Sequence, residues 1–205
     1  EVLDRCRRRG VLPPIEVVLY LAYRLASALE YAHGRCANGE PLGIIHRDVS
    51  PPNVLIGVQG EVKLADFGVA KAKLRDSSTR PGVLRGKYAY MSPEQVSHSP
   101  LDHRSDLFSL GTLLYETLTG VSPFEGSTDY RTMEAVGRAE CEAPSSLRPD
   151  TPIPLEAILM RCLEVSPDRR YQDASRLRRA LGPLVFEFSG AEEPECLVSF
   201  LRYIF

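Results

Sequence analysis

From Pro13 to His33 the apolar residues Val17, Val18, Leu21, Leu25, Ala28, Leu29 and Ala32 recur at three- and four-residue steps, behind two prolines suited to a helix start. The spacing predicts a long amphipathic helix. After Ser105 the set Leu107, Leu110, Leu113, Leu114 and Leu118, closed by Gly120 and Pro123, predicts a helix buried on most faces and placed at the centre of the core. Between these two, Val54, Leu55 and Ile56 lead to a turn near Gln59 and Gly60, and Val62 and Leu64 then flank Lys63, which reads as a short hairpin. Helical patterns return at 155–164 and 174–181, and the tail 195–205, ECLVSFLRYIF, again has apolar residues on helical spacing. The stretches 34–43, 69–91 and 144–154 read as loops, the second long enough to be functional. Glu1 to Leu12 reads as a connection into the first helix, and no internal repeat is visible.

Composition narrows the class. With 205 residues, 43% hydrophobic side chains and a formal charge of −2, the chain has the apolar material for one core and no charge excess that points to nucleic acid. Arg5, Arg7, Arg8 and Arg9, and Arg176, Arg178 and Arg179, are balanced by acidic residues and read as solvated helix faces. The five cysteines form no C-x-x-C pair, so they read as reduced cytosolic thiols rather than zinc ligands or a redox centre. No apolar run reaches the length of about 20 residues that spans a bilayer, and the N-terminus has no signal-peptide pattern. The expected setting is cytoplasmic, with any membrane anchor lying elsewhere in a longer parent protein, since the chain opens on Glu1.

Two short segments carry the chemistry, HRDVSPPN at 46–53 and DFG at 66–68. The hairpin between them places Asn53 before its first strand and Asp66 after its second, bringing both to one edge. Transfer of a γ-phosphoryl group needs its oxygens neutralised by Mg²⁺, an acceptor hydroxyl held in line and a late proton acceptor. Asp48 is the candidate proton acceptor, and Asn53 and Asp66 are the candidate metal ligands. An isolated H-R-D would favour a plainer reading, in which Asp48 caps a turn and Asn53 a strand. The added presence of DFG, of SPE at 92–94 and of SDLFSLG at 105–111 outweighs it.

In this combination the chain resembles the protein kinase family, over the C-terminal half of that family's domain. The SPEQ ending and Ser50 look like the eukaryotic-like serine/threonine kinases of bacteria. The resemblance implies an α+β, mainly α fold, a kinase C-terminal lobe over residues 1–190 with a small β-hairpin at the catalytic edge; the tail at 191–205 reads from its own apolar spacing as a docking helix for this lobe or a missing neighbour, or as aromatics exposed by truncation. The resemblance implies ATP and Mg²⁺ as cofactors, with Leu55 forming the floor of the adenine pocket and Asp66 and Asn53 on the metal. His46 braces Phe67, Phe67 orients Asp66, and Gly68 allows the following turn. Asp106 accepts hydrogen bonds from the catalytic-loop backbone, and Glu94 pairs with Arg169 beneath the substrate-binding loop. Arg47 implies control by phosphate on the activation loop, with Ser77, Ser78 and Thr79 as candidate acceptors.

The pattern departs from its family in two places. Where most such kinases have a lysine two residues after the catalytic aspartate and a threonine shortly before SPE, this chain has Ser50 and Lys87. A swap is expected, Lys87 supplying the charge and Ser50 the hydroxyl, against the alternative of a plain surface lysine. The other departure is that no Gly-rich loop, V-A-I-K-like lysine or helix glutamate precedes Glu1. The N-terminal lobe is therefore expected to be missing and this fragment alone inactive. HRDVSPPN carries no arginine-containing insert of the tyrosine-kinase kind, so a protein serine or threonine is the expected acceptor. Two other readings stay open, a non-catalytic kinase-like interaction module and a small-molecule phosphotransferase. The three intact carboxylate and amide side chains weigh against the first, and SPE with GKYAYM at 86–91 against the second.

Overall fold

The computed structural model describes residues 1–67, 87–189 and 194–205. Its described residues are mainly helical, with two small two-stranded sheets. Helix α1 (Val2–Arg9) occupies the segment expected to be a plain connection and stops at Gly10, whose φ of 64° closes it. Helix α2 (Ile15–His33) starts behind Pro14, whose carbonyl accepts from the N–H groups of Val17 and Val18.

Residues 34–43 were expected to be loop throughout. Instead β1 (Cys36–Ala37) pairs antiparallel with β2 (Glu40–Pro41), Cys36 opposite Pro41. Asn38 and Gly39 make the turn with φ of 52° and 83°, the left-handed pair that suits a two-residue hairpin. All four strand residues are exposed, so no inward–outward alternation marks them in the sequence.

The second hairpin joins β3 (Val54–Ile56) to β4 (Val62–Leu64), with Val54 opposite Leu64 and Ile56 opposite Val62. A further bond from the Ala65 N–H to the Asn53 carbonyl, 2.8 Å, extends the pairing to the edge where Asn53 and Asp66 sit.

Helix α3 (Pro93–Val96) is short and leads to α4 (Arg104–Thr119), whose residues from Ser105 to Thr119 are all buried. This is the predicted central helix, closed by Gly120 as expected. Helices α5 (Asp129–Arg138), α6 (Pro144–Leu147), α7 (Ile153–Cys162) and α8 (Ala174–Ser189) complete the lobe, and α2 packs along α8 and α4. The α5 helix was not foreseen, and α6 falls inside a stretch expected to be loop. Thr128 caps α5, its side chain accepting from the Arg131 N–H at 3.2 Å.

The tail forms α9 (Glu195–Ile204), which buries Leu197, Phe200 and Ile204 in the same core cluster as α2 and Cys6 of α1. Arg5 stacks on Phe205, and Arg9 stacks on Tyr203 and donates to its carbonyl. These arginines, read from sequence as a solvated face, hold the tail to α1. Gly60, at the tip of the β3–β4 hairpin with φ 86°, lies under the same tail; a Cβ there would fall 2.4 Å from the Pro194 Cβ.

Candidate active site

The site is built outward from Asp106, a fully buried carboxylate in the first turn of α4. Its Oδ2 accepts from the His46 N–H and contacts His33 Nε2, and its Oδ1 accepts from the Arg47 N–H, each at 2.8 Å. Burying an ion unpartnered is costly, and here backbone dipoles and a ring nitrogen satisfy it. The bonds hold Arg47 at φ 68°, a left-handed conformation that costs a non-glycine residue energy and persists only where neighbours enforce it.

His46 is fully buried and spends both ring nitrogens on backbone. Its Nδ1 accepts from the Asp48 N–H at 3.2 Å, so its Nε2 carries the proton donated to the Ala65 carbonyl at 2.8 Å. The ring bridges the 46–53 loop to the residue before Asp66. The Phe67 ring meets it edge to face, 4.4 Å between centroids.

Asp48 follows, 20% exposed. Its Oδ2 receives the Lys87 ammonium at 2.7 Å, and the Ser50 hydroxyl lies 3.3 Å from its Oδ1. Asn53 Nδ2 donates to the Asp48 carbonyl at 2.7 Å. That bond fixes which end of the Asn53 amide is the nitrogen and leaves its Oδ1 as an oxygen donor. Asn53 Oδ1 and the exposed Asp66 carboxylate make a hard, all-oxygen pair, the donor set magnesium takes when substrate phosphates and water complete its shell. The residues present fit that ion.

Beneath the site, Glu94 of α3 is locked to Arg170. The two guanidinium arms reach its oxygens at 2.7 and 2.9 Å, and the Ser105 hydroxyl adds a third bond at 2.7 Å. The remaining Arg170 donors go to the carbonyls of Glu164, Val165 and Arg104, so all five N–H groups are used. Burial acts to raise the Glu94 carboxyl, but the bonds from Arg170 and Ser105 outweigh it and hold the group below the usual carboxylate range.

A third buried carboxylate, Glu116 of α4, accepts from the Tyr90 hydroxyl and from Arg7 of α1. Burial keeps its carboxyl above the usual range despite both donors.

The family model described as the protein kinase domain matches residues 1–180. The chain belongs to the protein kinase family. It is 41% identical over 190 residues to the tyrosine-protein kinase MasK of Myxococcus xanthus, covering 92% of this chain and 29% of that protein. A probable serine/threonine-protein kinase of Clostridium perfringens is 36% identical over 174 residues, covering 85% of this chain and 24% of that one. The serine/threonine-protein kinase PknB of Mycobacterium leprae is 35% identical over 173 residues, 84% of this chain and 26% of that one. The chain thus spans between 24% and 29% of the length of these three curated relatives.

Within this kinase lobe the structure brings His46, Arg47, Asp48, Ser50, Asn53, Asp66, Phe67, Lys87 and Asp106 to one edge. Leu55, on β3, is 53% exposed. Gly68 and the candidate phosphate acceptors Ser77, Ser78 and Thr79 lie outside the described residues.

One pairing is corrected. Arg169 does not reach Glu94; its side chain is 76% exposed and only approaches Glu164 at 4.0 Å. Residues Pro167–Arg169 form a surface 3₁₀ turn, and the extended backbone that follows carries Arg170 inward instead. Two adjacent arginines look alike in sequence, and the phase of a three-residue turn decides between them. Sequence reasoning also passed over His33, Tyr90, Gln95, Ser105 and Glu116, whose partners lie on other elements. Only Gln95 had a local signal, as the fourth residue of a capping box begun by Ser92.

Proposed function

We propose that this chain is the catalytic lobe of an ATP-dependent protein kinase that phosphorylates serine or threonine in a protein, working when joined to an N-terminal lobe. The observation that carries the reading is Asp48, part-exposed at the edge of the site while its backbone is tied at both N–H and carbonyl. Magnesium–ATP, when bound, supplies the phosphoryl group and neutralises its charge. Asn53 and Asp66 are the residues that hold the ion, and Leu55 supplies apolar surface for the base. Asp48 orients the acceptor hydroxyl and takes its proton. Lys87 places a positive charge beside Asp48, and Ser50 hydrogen-bonds its other oxygen, which supports the lysine–hydroxyl swap over a plain surface lysine. Groups that clamp the phosphates from the far side are not among these 205 residues, so the isolated lobe is proposed to be inactive. A cytoplasmic setting is part of the same reading; among the described residues, no helix is long and apolar enough to cross a membrane.

The similarity to a tyrosine-protein kinase favours one competing reading, a tyrosine acceptor. The experiment is phosphoamino-acid analysis of an intact kinase carrying this lobe, on a protein substrate with Mg²⁺–ATP. Phosphoserine and phosphothreonine, abolished by Asp48→Ala, are expected, and phosphotyrosine alone would replace the serine/threonine assignment. Lys87→Ala is expected to lower kcat at least about tenfold, as loss of a charge-assisted contact at the reacting group does. Unchanged phosphotransfer in that variant would return Lys87 to a surface role.

A further inference from the structure

Gln95 spends its side chain on two elements at once. Its Oε1 accepts from the Ser92 N–H at 2.9 Å, while its own N–H donates back to Ser92 Oγ at 3.3 Å, closing the capping box of α3. Its Nε2 donates across to the Arg47 carbonyl at 2.9 Å, in the catalytic loop. The orientation of the amide is fixed by its partners, because a flipped amide would set nitrogen against the Ser92 N–H and oxygen against the Arg47 carbonyl. A capping box accepts glutamate as readily as glutamine. Only the amide also donates, and the donor is what the Arg47 carbonyl requires.

Arg47 is where such a bond matters. Its φ of 68° is held on the N–H side by Asp106, and its carbonyl belongs to the peptide that leads into Asp48. With Gln95 on that carbonyl, Arg47, the residue before Asp48, is held from α4 at its N–H and from α3 at its carbonyl. The segment that supplies the fix begins a few residues after Lys87, whose ammonium meets the Asp48 carboxylate.

We infer that Gln95 is a positioning residue that couples the SPE segment to Asp48, holding the catalytic-loop backbone in its strained form. The inference rests on the reading of Asp48 as the catalytic residue for its kinetic consequence, and on geometry alone for its structural one.

Gln95→Glu separates the two roles of the side chain, since the carboxylate keeps the cap and loses the donor to Arg47. In an intact kinase carrying this lobe, hydrogen exchange, thermal unfolding and steady-state kinetics are compared among parent, Gln95→Glu and Gln95→Met. For Gln95→Glu the expectation is faster amide exchange in residues 46–53 with α2 and α4 unchanged and a parental Tm. Its kcat is expected to fall about tenfold with KM for both substrates retained, the loss of one hydrogen bond at the site. Gln95→Met, which also loses the side-chain acceptor for the Ser92 N–H, adds a lower Tm. Parental exchange across 46–53 in Gln95→Glu overturns the inference whether or not the kinase is active. So does a fall in kcat matched by a fall in Tm. A parent that phosphorylates nothing overturns the proposed function instead, and the exchange measurement still decides the role of Gln95.

Discussion

Asp106 and Glu94 are buried carboxylates made neighbours by Ser105, and the fold holds them by different means. Asp106 is surrounded by dipoles, two backbone N–H groups of the catalytic loop and the His33 ring. Glu94 is surrounded by charge, a fully buried guanidinium with every donor engaged, plus one hydroxyl. Dipoles specify direction, so Asp106 sets the shape of a strained loop. Charge specifies partnership, so Glu94 ties α3 to the segment before α8 and fails badly if either partner goes. One centre serves geometry at the site and the other keeps the lobe closed beneath it.

The largest break in this comparison is Arg170→Met. It strands the Glu94 carboxylate with a single hydroxyl, and urea unfolding is expected to show a loss of about 3–5 kcal/mol. Asp106→Asn comes next. The amide keeps the shape but turns one acceptor into a donor facing an N–H group, at a cost of about 1–3 kcal/mol. In an intact kinase carrying this lobe, its phosphotransfer rate should fall further than its stability, since the loop that carries Asp48 loses its guide; equal losses would mean Asp106 serves only to hold the fold.

Acid sharpens the contrast. In the parent the Glu94 carboxyl lies below its unfolded value of about 4.3, so the pair stabilises fully above that pH and the contribution fades as pH drops through the lower, folded value. Without Arg170 the balance reverses, because burial alone raises the carboxyl and the charged form then destabilises the fold above about pH 4.3. The stability gap between parent and Arg170→Met is therefore expected to narrow on acidification from pH 7 to pH 4, followed by chemical denaturation at each pH. A gap independent of pH would place the cost of the substitution in packing. The smallest effect belongs to Arg169→Ala, expected within about 0.5 kcal/mol of parent, as for other exposed positions.

The contrast also marks what the sequence could disclose. The placement of Asp48, Asn53 and Asp66 was legible because it rests on spacing along the chain, and the β3–β4 hairpin between them has an alternation to read. The central helix was legible because its leucines recur at helical spacing from Leu107 to Leu118 and Gly120 closes it. Arg170 was misassigned to Arg169 because the choice depends on how a surface turn winds. Helix α1 is two turns long with Cys6 as its only fully buried side chain, too little periodicity to separate it from a connection. The β1–β2 hairpin is exposed on both faces, and there the Asn38–Gly39 pair was the better guide than hydrophobic pattern. Gln95 gives away its cap in sequence, but its second bond spans 48 positions and exists only once α3 meets the catalytic loop.

The last helix bears on where a kinase lobe stops being divisible. The matched family segment ends at residue 180, yet α8 continues to Ser189 and α9 returns to cover α1 and the tip of the hairpin that carries Asn53 and Asp66 at its ends. A gene cut at 180 would express every residue of the recognised pattern while uncovering the apolar surface that Leu197, Phe200 and Ile204 close. Ancestry and autonomy are measured by different rulers here, and a fusion or truncation planned on ancestry would remove a wall of the house along with the garden.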